Sequence, residues 1–429
     1  MTEATATALV LGLLLGQMVL GIPIGAAMGI AGFVGIFALY GLDITFVMVG
    51  QVAEEIAFNY HLSIVPLFIL MGNLASRSGM SSDLYEGCSR LFGGIRGGLA
   101  MATIAACGCF AAVSGSSLAT ATSLGQVSVP EMRKFKYSDR LATGAVAAGG
   151  TVGVLIPPSI ILVIYGVLTE TSITDLFVAA IIPGLMQILV YILTIAVIVR
   201  LWPGSAGPSA PTTWLEKLAA IPKVFSMLIL FVLVIGGLYL GVFTPTEAAG
   251  FGVLCAFAIG LLRRSLSFST VIQALKGTIQ TTGMIAMILL GAFMLINFFV
   301  LSRANTAMAD YVSSIAAPAW VIMLAILVMY LVLGCFLDSI GMILLTVPVI
   351  FPIVTQLGYD PVWFSIVLVI VVETGMITPP LGINVFAIKS VTPDVSVSTI
   401  FKGVMPFWAA DLLRLGLLLL FPSLVLALV

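Results

Sequence analysis

The chain has 429 residues, of which 61% are hydrophobic and 8% charged; 17 Lys and Arg face 18 Asp and Glu, for a net charge of −1 and a mean hydropathy of +1.24. About a quarter of the residues in a soluble globular domain are charged, so this composition excludes one and leaves a polytopic helical membrane protein. The net charge says nothing about nucleic acid, but the chain shows no basic tail or polyanion-binding patch, so no nucleic-acid partner is expected and the basic residues read as topology marks.

Met1 to Ala6 lacks a basic n-region and the apolar run after it continues as a span, so no cleavable signal peptide is expected. Residues 7 to 40 are broken at Gly21-Ile22-Pro23. They form either two short spans, the reading taken here, or one long kinked helix that reverses the side assignments after it. Residues 41 to 60, with Asp43, Glu54 and Glu55, are expected to leave the membrane. A third span runs from about His61 to Ser76 and ends at Arg77, with His61, the one histidine, in a structural role. The stretch 81 to 97, with Asp83, Glu86, Arg90 and Arg96, is too polar to cross and reads as an amphipathic interfacial helix.

Residues 98 to 127 are apolar but punctured at Ser114-Gly115-Ser116-Ser117. Arms of about 12 to 16 residues, at about 1.5 Å per residue, are too short to span and meet at a Ser/Gly turn, the pattern of a re-entrant hairpin. One full span with a small-residue packing seam is the alternative. After Arg133, Lys134, Lys136 and Arg140, a span at 141 to 168 is interrupted by Gly153-Val154-Leu155-Ile156-Pro157-Pro158. Paired prolines remove two donors and push the preceding residue out of the helical region, so the helix breaks deep in the bilayer. Carbonyls freed there are tolerated only inside protein or beside a water-filled cavity.

Another span covers 174 to 200, and a Pro/Gly/Ser-rich linker at 203 to 215 divides the chain into a first part, 1 to 202, and a second, 216 to 429. The second repeats the first. Spans at 222 to 243 and 246 to 262 precede one at 270 to 301 and a polar stretch with Arg303, Asp310 and Tyr311. A second hairpin follows at about 317 to 357 with its tip at Leu337-Asp338-Ser339-Ile340-Gly341, then a broken span at 362 to 390 and a last span at 398 to 428. Gly375-Met376-Ile377-Thr378-Pro379-Pro380 stands 222 positions after the first double-proline segment, and Pro245-x-x-Ala248-Ala249 stands 222 after Pro23-x-x-Ala26-Ala27. Matching breaks in two halves point to a secondary transporter's binding site. Five spans and one hairpin per half is an odd count, so the repeats are expected to be inverted. Placing Arg77 in the cytoplasm puts nearly all other basic residues there too, from Arg90 to Lys402, and leaves Arg303 outside.

The five cysteines, Cys88, Cys107, Cys109, Cys255 and Cys335, have no zinc-type spacing and read as packing, with neither a metal cluster nor a disulfide framework. Asp338 and Glu373 must face protein or water, given the cost of a charge at mid-helix. Each either assists a cation or braces a broken helix. Asp411 and Arg414, spaced i to i+3, are expected to pair, and Glu247 to stand at a helix N-terminus.

Four stretches together carry a family resemblance: Ser114 to Gly125, Ala142 to Ser159, Thr244 to Ala249 and Glu373 to Asn384. They resemble the large membrane subunit of tripartite ATP-independent periplasmic (TRAP) transporters over nearly the whole chain. The resemblance implies an elevator-type Na⁺-coupled transporter of the ion transporter superfamily with scaffold and transport parts, multi-pass in the bacterial inner membrane. It implies a small four-span membrane subunit and a periplasmic substrate-binding protein as partners, a small organic anion as solute, lipid around it, and no cofactor beyond the coupling ion. It places a first Na⁺ among Ser114, Ser117, Gly153, Ile156 and Pro158, and a second among Gly341, Gly375, Thr378 and Leu381. The hydroxyls and helix N-termini between the tips suit a carboxylate, with Ser116 and Asn384 as donors and Asp338 and Glu373 beside them. A self-sufficient anion symporter of the same superfamily fits the repeat equally well. An intramembrane enzyme would need a catalytic dyad on facing spans, which the sequence does not place.

Overall fold

The structure is a computed structural model that describes residues 3–208, 212–314 and 317–429. Its described residues fold as α-helices and short 3₁₀ turns. In chain order these are α1 (Glu3–Val19), α2 (Ile24–Tyr40), α3 (Leu42–Phe58), α4 (Ile64–Arg77), α5 (Met80–Leu91), α6 (Gly98–Ser114), α7 (Ser117–Lys134), α8 (Asp139–Leu155), α9 (Ile160–Thr169) and α10 (Ile173–Leu201). After the linker come α11 (Trp214–Tyr239), α12 (Pro245–Leu262), α13 (Phe268–Leu301), α14 (Ala304–Ser314), α15 (Ala319–Gly334), α16 (Ser339–Gln356), α17 (Pro361–Gly375), α18 (Ile383–Val391), α19 (Val397–Leu420) and α20 (Ser423–Leu426). Six described helices are long and apolar enough to cross a membrane, or eight spans if the bent pairs α3–α4 (54°) and α8–α9 (40°) each count as one. Helix starts at 117 and 139 recur at 339 and 361, each 222 on, and those at 24, 98 and 160 recur within one residue of that offset.

The break at Gly21-Ile22-Pro23 ends α1, with Gly21 at φ 77°, so two helices form there and not one kinked helix. Residues 41 to 60, expected to leave the membrane, form α3 over most of their length. Three acids disfavour a straight apolar span but do not oppose helicity, and the helix buries only Thr45 and Val52 while Phe46 meets the Phe33 ring edge-on. Asn59 then breaks the chain, its side chain accepting from the His61 and Leu62 N–H groups, so the third span starts with a 3₁₀ turn and α4 is its second arm.

The first hairpin has longer arms than expected. α6 and α7 hold 17 and 18 residues, and α7 continues through Pro130 to take Arg133 and Lys134 out of the basic loop. The last span stops at Leu420, where Phe421-Pro422 cannot continue a helix, and not at 428. The linker is shorter and tighter than its composition suggests: α11 starts at Trp214, Ser205 accepts from the Ser138 N–H at 3.0 Å, and a methyl placed on Gly207 would lie 1.7 Å from the Phe135 carbonyl oxygen. Ser209, Ala210 and Pro211 lie outside the described residues, as do the side chains of Asp310 and Tyr311.

The two halves interlock. α2 crosses α13 so closely that a methyl on Gly25 would lie 2.7 Å from the Ile288 Cα, and α8 crosses α19 with Gly144 against Gly403. Small residues let these backbones approach, as membrane packing favours. Across the same divide, Glu86 of α5 pairs with Lys223 of α11, and Asp83 with Arg263.

Candidate functional site

Local capping sets each hairpin turn. In the first, Gly115 takes the left-handed conformation (φ 58°) that ends α6, and Ser116 caps α7 by accepting from the Ala119 N–H at 3.4 Å. In the second, Asp338 caps α16 by accepting from the Gly341 N–H at 3.0 Å. Ser116 and Asp338 are 222 positions apart, so the two caps are equivalent places filled by different chemistry.

The first turn presses against the first break. The Ser114 Oγ is hydrogen-bonded to the Thr120 Oγ1 at 2.8 Å, and Thr120 donates to the Ser116 carbonyl at 2.8 Å. A methyl on Gly153 would lie 2.7 Å from that Thr120 hydroxyl and 2.9 Å from the Ser116 oxygen, and one on Gly115 would lie 2.9 Å from the Pro158 oxygen. Ser114, Gly153 and Pro158 are therefore brought together around oxygens of the turn. Ile156 supplies its backbone to the break, while its side chain packs toward Gly108 and Gly184. Pro157-Pro158 is cis, and Ser159 caps α9 by accepting from the Leu162 N–H.

Ser117 points elsewhere. Its hydroxyl meets the Met376 thioether at 4.0 Å, and Ser339, its partner by the 222 offset, meets the same sulfur at 2.5 Å and donates to Glu373 Oε1 at 2.8 Å. The starts of α7 and α16 thus converge on Glu373 and Met376. Glu373 is 2% exposed and its Oε2 has no partner among the described residues.

At the second break Gly375 touches α15, where a methyl would lie 2.7 Å from the Gly334 Cα, and Gly382 donates to the Cys335 carbonyl at 3.4 Å. The Thr378 hydroxyl already has two partners: it donates to the Thr374 carbonyl at 2.6 Å and accepts from the Trp408 indole at 2.9 Å. Pro379-Pro380 is cis, and Leu381 is exposed. Gly341 packs against Ile24 and its own cap Asp338. Asn384 is fully buried and both of its amide atoms lack partners among the described residues.

A cavity of about 610 Å³ opens between both tips, α4, α9 and α13. Ser116 and Asp338 line it; Glu373 and Asn384 do not, and sit behind it. Asn73, which donates to Thr278 at 3.0 Å, faces the tips from α4. Sequence reasoning passed over Thr120, Ser339, Asn73 and Trp408. The 222 offset from Ser117 was a signal for Ser339; a lone Asn, Thr or Trp in an apolar helix gives none. Among the described residues no group of three or more His, Cys, Asp or Glu is placed to hold a metal ion, and all five cysteines are unpaired.

Behind the first break lies a buried network. The expected Asp411–Arg414 pair forms at 2.9 Å with both residues 1% exposed. Tyr191 donates to Asp411, the Thr151 and Tyr191 hydroxyls lie within hydrogen-bond distance at 3.1 Å, Gln187 donates to Thr151 at 2.9 Å, and Arg414 reaches the Pro183 carbonyl at 3.3 Å. It ties α8, α10 and α19 together. Glu247 forms a capping box with Thr244, as a helix N-terminus predicts. His61 is exposed, its ring edge-on to Tyr60.

The profile described as "Tripartite ATP-independent periplasmic transporter, DctM component" matches residues 11–424. The chain is 33% identical over 375 residues to the C4-dicarboxylate TRAP transporter large permease protein DctM of Pseudomonas aeruginosa, with 87% of each chain covered. It is 34% identical over 366 residues to the sialic acid TRAP transporter large permease protein SiaM of Vibrio cholerae, with 85% of each covered. In fold it is similar to the YdaH transporter of Alcanivorax borkumensis, with a TM-score of 0.66 at 16% identity over 91% of both chains. The chain belongs to the DctM component family of TRAP transporters. It is a multi-pass inner-membrane permease subunit and not an enzyme.

Proposed function

We propose that this chain is the permease subunit of a binding-protein-dependent secondary transporter that takes up an organic acid or related small solute by Na⁺ symport through an elevator movement. The observation that carries the reading is the cavity shared by both hairpin tips, each tip lying beside one double-proline break. A cavity of this size suits one small solute, and broken helices at a repeat interface are the usual place for substrate and coupling ion. The relatives are named as large permease proteins, which favours a subunit over a self-sufficient symporter. A small membrane subunit and a periplasmic binding protein are accordingly proposed as partners.

In this reading residues 1–202 and 216–429 are inverted repeats joined at 203–215. Counting each bent or broken pair once gives five spans per half, and an odd number inverts the second. The recurrence of helix starts near 222 supports it. The first Na⁺ would use oxygens of Ser114, Ser117, Gly153, Ile156 and Pro158, and the second those of Gly341, Gly375, Thr378 and Leu381. With its hydroxyl engaged twice, Thr378 would offer chiefly its carbonyl. Na⁺ accepts such carbonyl cages without a buried full charge. Ser116 and Asp338 would meet the solute directly, with Asn384 and Glu373 shaping the wall behind.

The test is uptake by the complete transporter in proteoliposomes, with the solute identified by a thermal-shift screen on the binding protein. Accumulation should need an inward Na⁺ gradient and ignore ATP. Equal uptake in potassium-only buffer with a pH gradient overturns the symport reading.

A further inference from the structure

The cavity has a one-sided charge. Among the described residues that line it, Asp338 is the only ionisable side chain, and no Lys, Arg or His is present. Arg77 follows the lining residue Ser76 in sequence, but its guanidinium is turned to Gln273 at 2.8 Å, outside the cavity. The remaining polar lining is neutral: Asn73, Ser116, Thr122, Ser123 and Thr281 among it.

The protein itself offers an anionic group in this space one positive feature, the start of α7, where Ser116 adds a hydroxyl, and the first Na⁺ proposed above would lie beside it. The start of α16 is already answered by the carboxylate of Asp338, which accepts from the Gly341 N–H. A carboxylate has about four acceptor positions, so Asp338 keeps most of its capacity for a donor in the cavity. A second anionic group on the solute would lie beside Asp338, with no Lys, Arg or His in the described lining to offset it. An ammonium or similar cationic group there would instead form a charge-assisted hydrogen bond.

We propose that the solute of this cavity is a zwitterion, with one carboxylate or sulfonate toward the start of α7 and one cationic group toward Asp338, and not a dicarboxylate. This rests on the transporter reading above and narrows its solute class by charge.

The experiment uses the complete transporter in proteoliposomes under an inward Na⁺ gradient. The external medium holds an equimolar mixture of amino acids and their N-methylated derivatives, hydroxy-monocarboxylates, and four- to six-carbon dicarboxylates, and accumulated solutes are read by mass spectrometry. Zwitterions should accumulate; accumulation of dicarboxylates overturns the proposal. The Asp338→Asn variant separates the carboxylate's roles, because Asn caps a helix as well as Asp and so preserves the turn. It should raise the half-saturating zwitterion concentration about tenfold or more, the loss expected for a hydrogen bond between charged groups. The Na⁺ concentration for half-maximal uptake should stay the same. A raised Na⁺ requirement with unchanged solute half-saturation overturns the proposal and assigns Asp338 to the cation. Accumulation that ignores Na⁺ strikes the symport reading instead and is distinguishable from both.

Discussion

The two double-proline breaks share a register and a motif but not an environment. Every residue from Thr151 to Ile160 is buried, and the first break takes only four residues between α8 and α9. The second takes seven between α17 and α18, and Pro379, Pro380 and Leu381 are exposed. Position for position, Thr151 corresponds to Glu373. The hydroxyl binds a network of Tyr191, Gln187 and Asp411, while the carboxylate accepts from a serine of its own half's hairpin tip. A repeated sequence therefore sets where a helix breaks, and the neighbours decide what its freed groups meet. At the first break those groups are sealed and must be answered by protein or an ion; at the second, part of the backbone is open.

Breaking the buttress behind the first break should have the largest effect. Asp411→Ala leaves Arg414 buried without its partner and takes an acceptor from Tyr191, and losing one member of a buried pair costs about 3 to 5 kcal/mol. Thermal unfolding of the purified protein should show a large loss of stability. Among the described residues Glu373 has Ser339 as its hydrogen-bond partner and no ion pair, so Glu373→Gln should unfold far closer to the parent, because Gln still offers an oxygen to Ser339. Equal losses in the two variants would erase the asymmetry.

A methyl added at the matched glycines tests the same contrast sterically. Gly153→Ala drives Cβ into the Thr120 hydroxyl and the Ser116 carbonyl, so the first hairpin turn must shift from the break, at about 1 to 3 kcal/mol. Gly375→Ala meets the Gly334 Cα and the Leu331 carbonyl instead, both on the arm α15 and not on a tip. Both variants should lose stability, but Gly153→Ala should raise the Na⁺ needed for half-maximal uptake more than Gly375→Ala does. The reverse order in a Na⁺ titration would show that the second break is the more dependent on its packing.

These contacts mark the limit of what the sequence discloses. Paired prolines, a Ser/Gly turn and the 222 offset locate both breaks and both tips to within a few residues, because each acts through the local backbone. The charged triplet Asp43, Glu54 and Glu55 gave no sign of α3, because charge opposes membrane burial and leaves a helix free to form. The linker's composition likewise carried no sign that Gly207 packs against Phe135, since that contact depends on distant chain. Ser114, Gly153 and Pro158 were legible as a group through their motif. The engagement of Thr378 by Trp408, 30 positions away, was not.

That engagement supplies the next test. Thr378→Val keeps the volume but leaves the Trp408 indole N–H without its acceptor, at about 1 to 3 kcal/mol, with the lower end expected where the site is half-buried. Trp408→Phe removes the donor in turn, and in the double variant neither group is left unpaired. If the bond positions the second break, both single variants should raise the Na⁺ requirement by similar factors, and the double variant should add little. A rise in Thr378→Val alone would make the hydroxyl itself a ligand.

The smallest effect belongs to the polar helices that follow the third span in each half. In the first half Glu86 on α5 accepts from Lys223 of α11 and from Arg90 at 2.5 Å, and the Lys223 ammonium, chiefly by its hydrogen bond, holds the Glu86 carboxyl below its ordinary value of 4.5. A depressed carboxylate contributes stability that is full above its unfolded pKa and is lost as pH falls through the folded value, so the window lies below about 4.5. The Glu86 side chain is 41% exposed, which screens the pair, and exposed pairs are worth about 0.2 to 1 kcal/mol. Glu86→Gln should therefore melt slightly lower than the parent at pH 7, and the gap should close as pH falls below 4.5. Salt should narrow the gap at pH 7 in the same way, because the pair is partly in solvent. A gap that persists undiminished at pH 3 would assign the effect to packing of α5 on α11, and the ion pair would then contribute nothing to joining the halves.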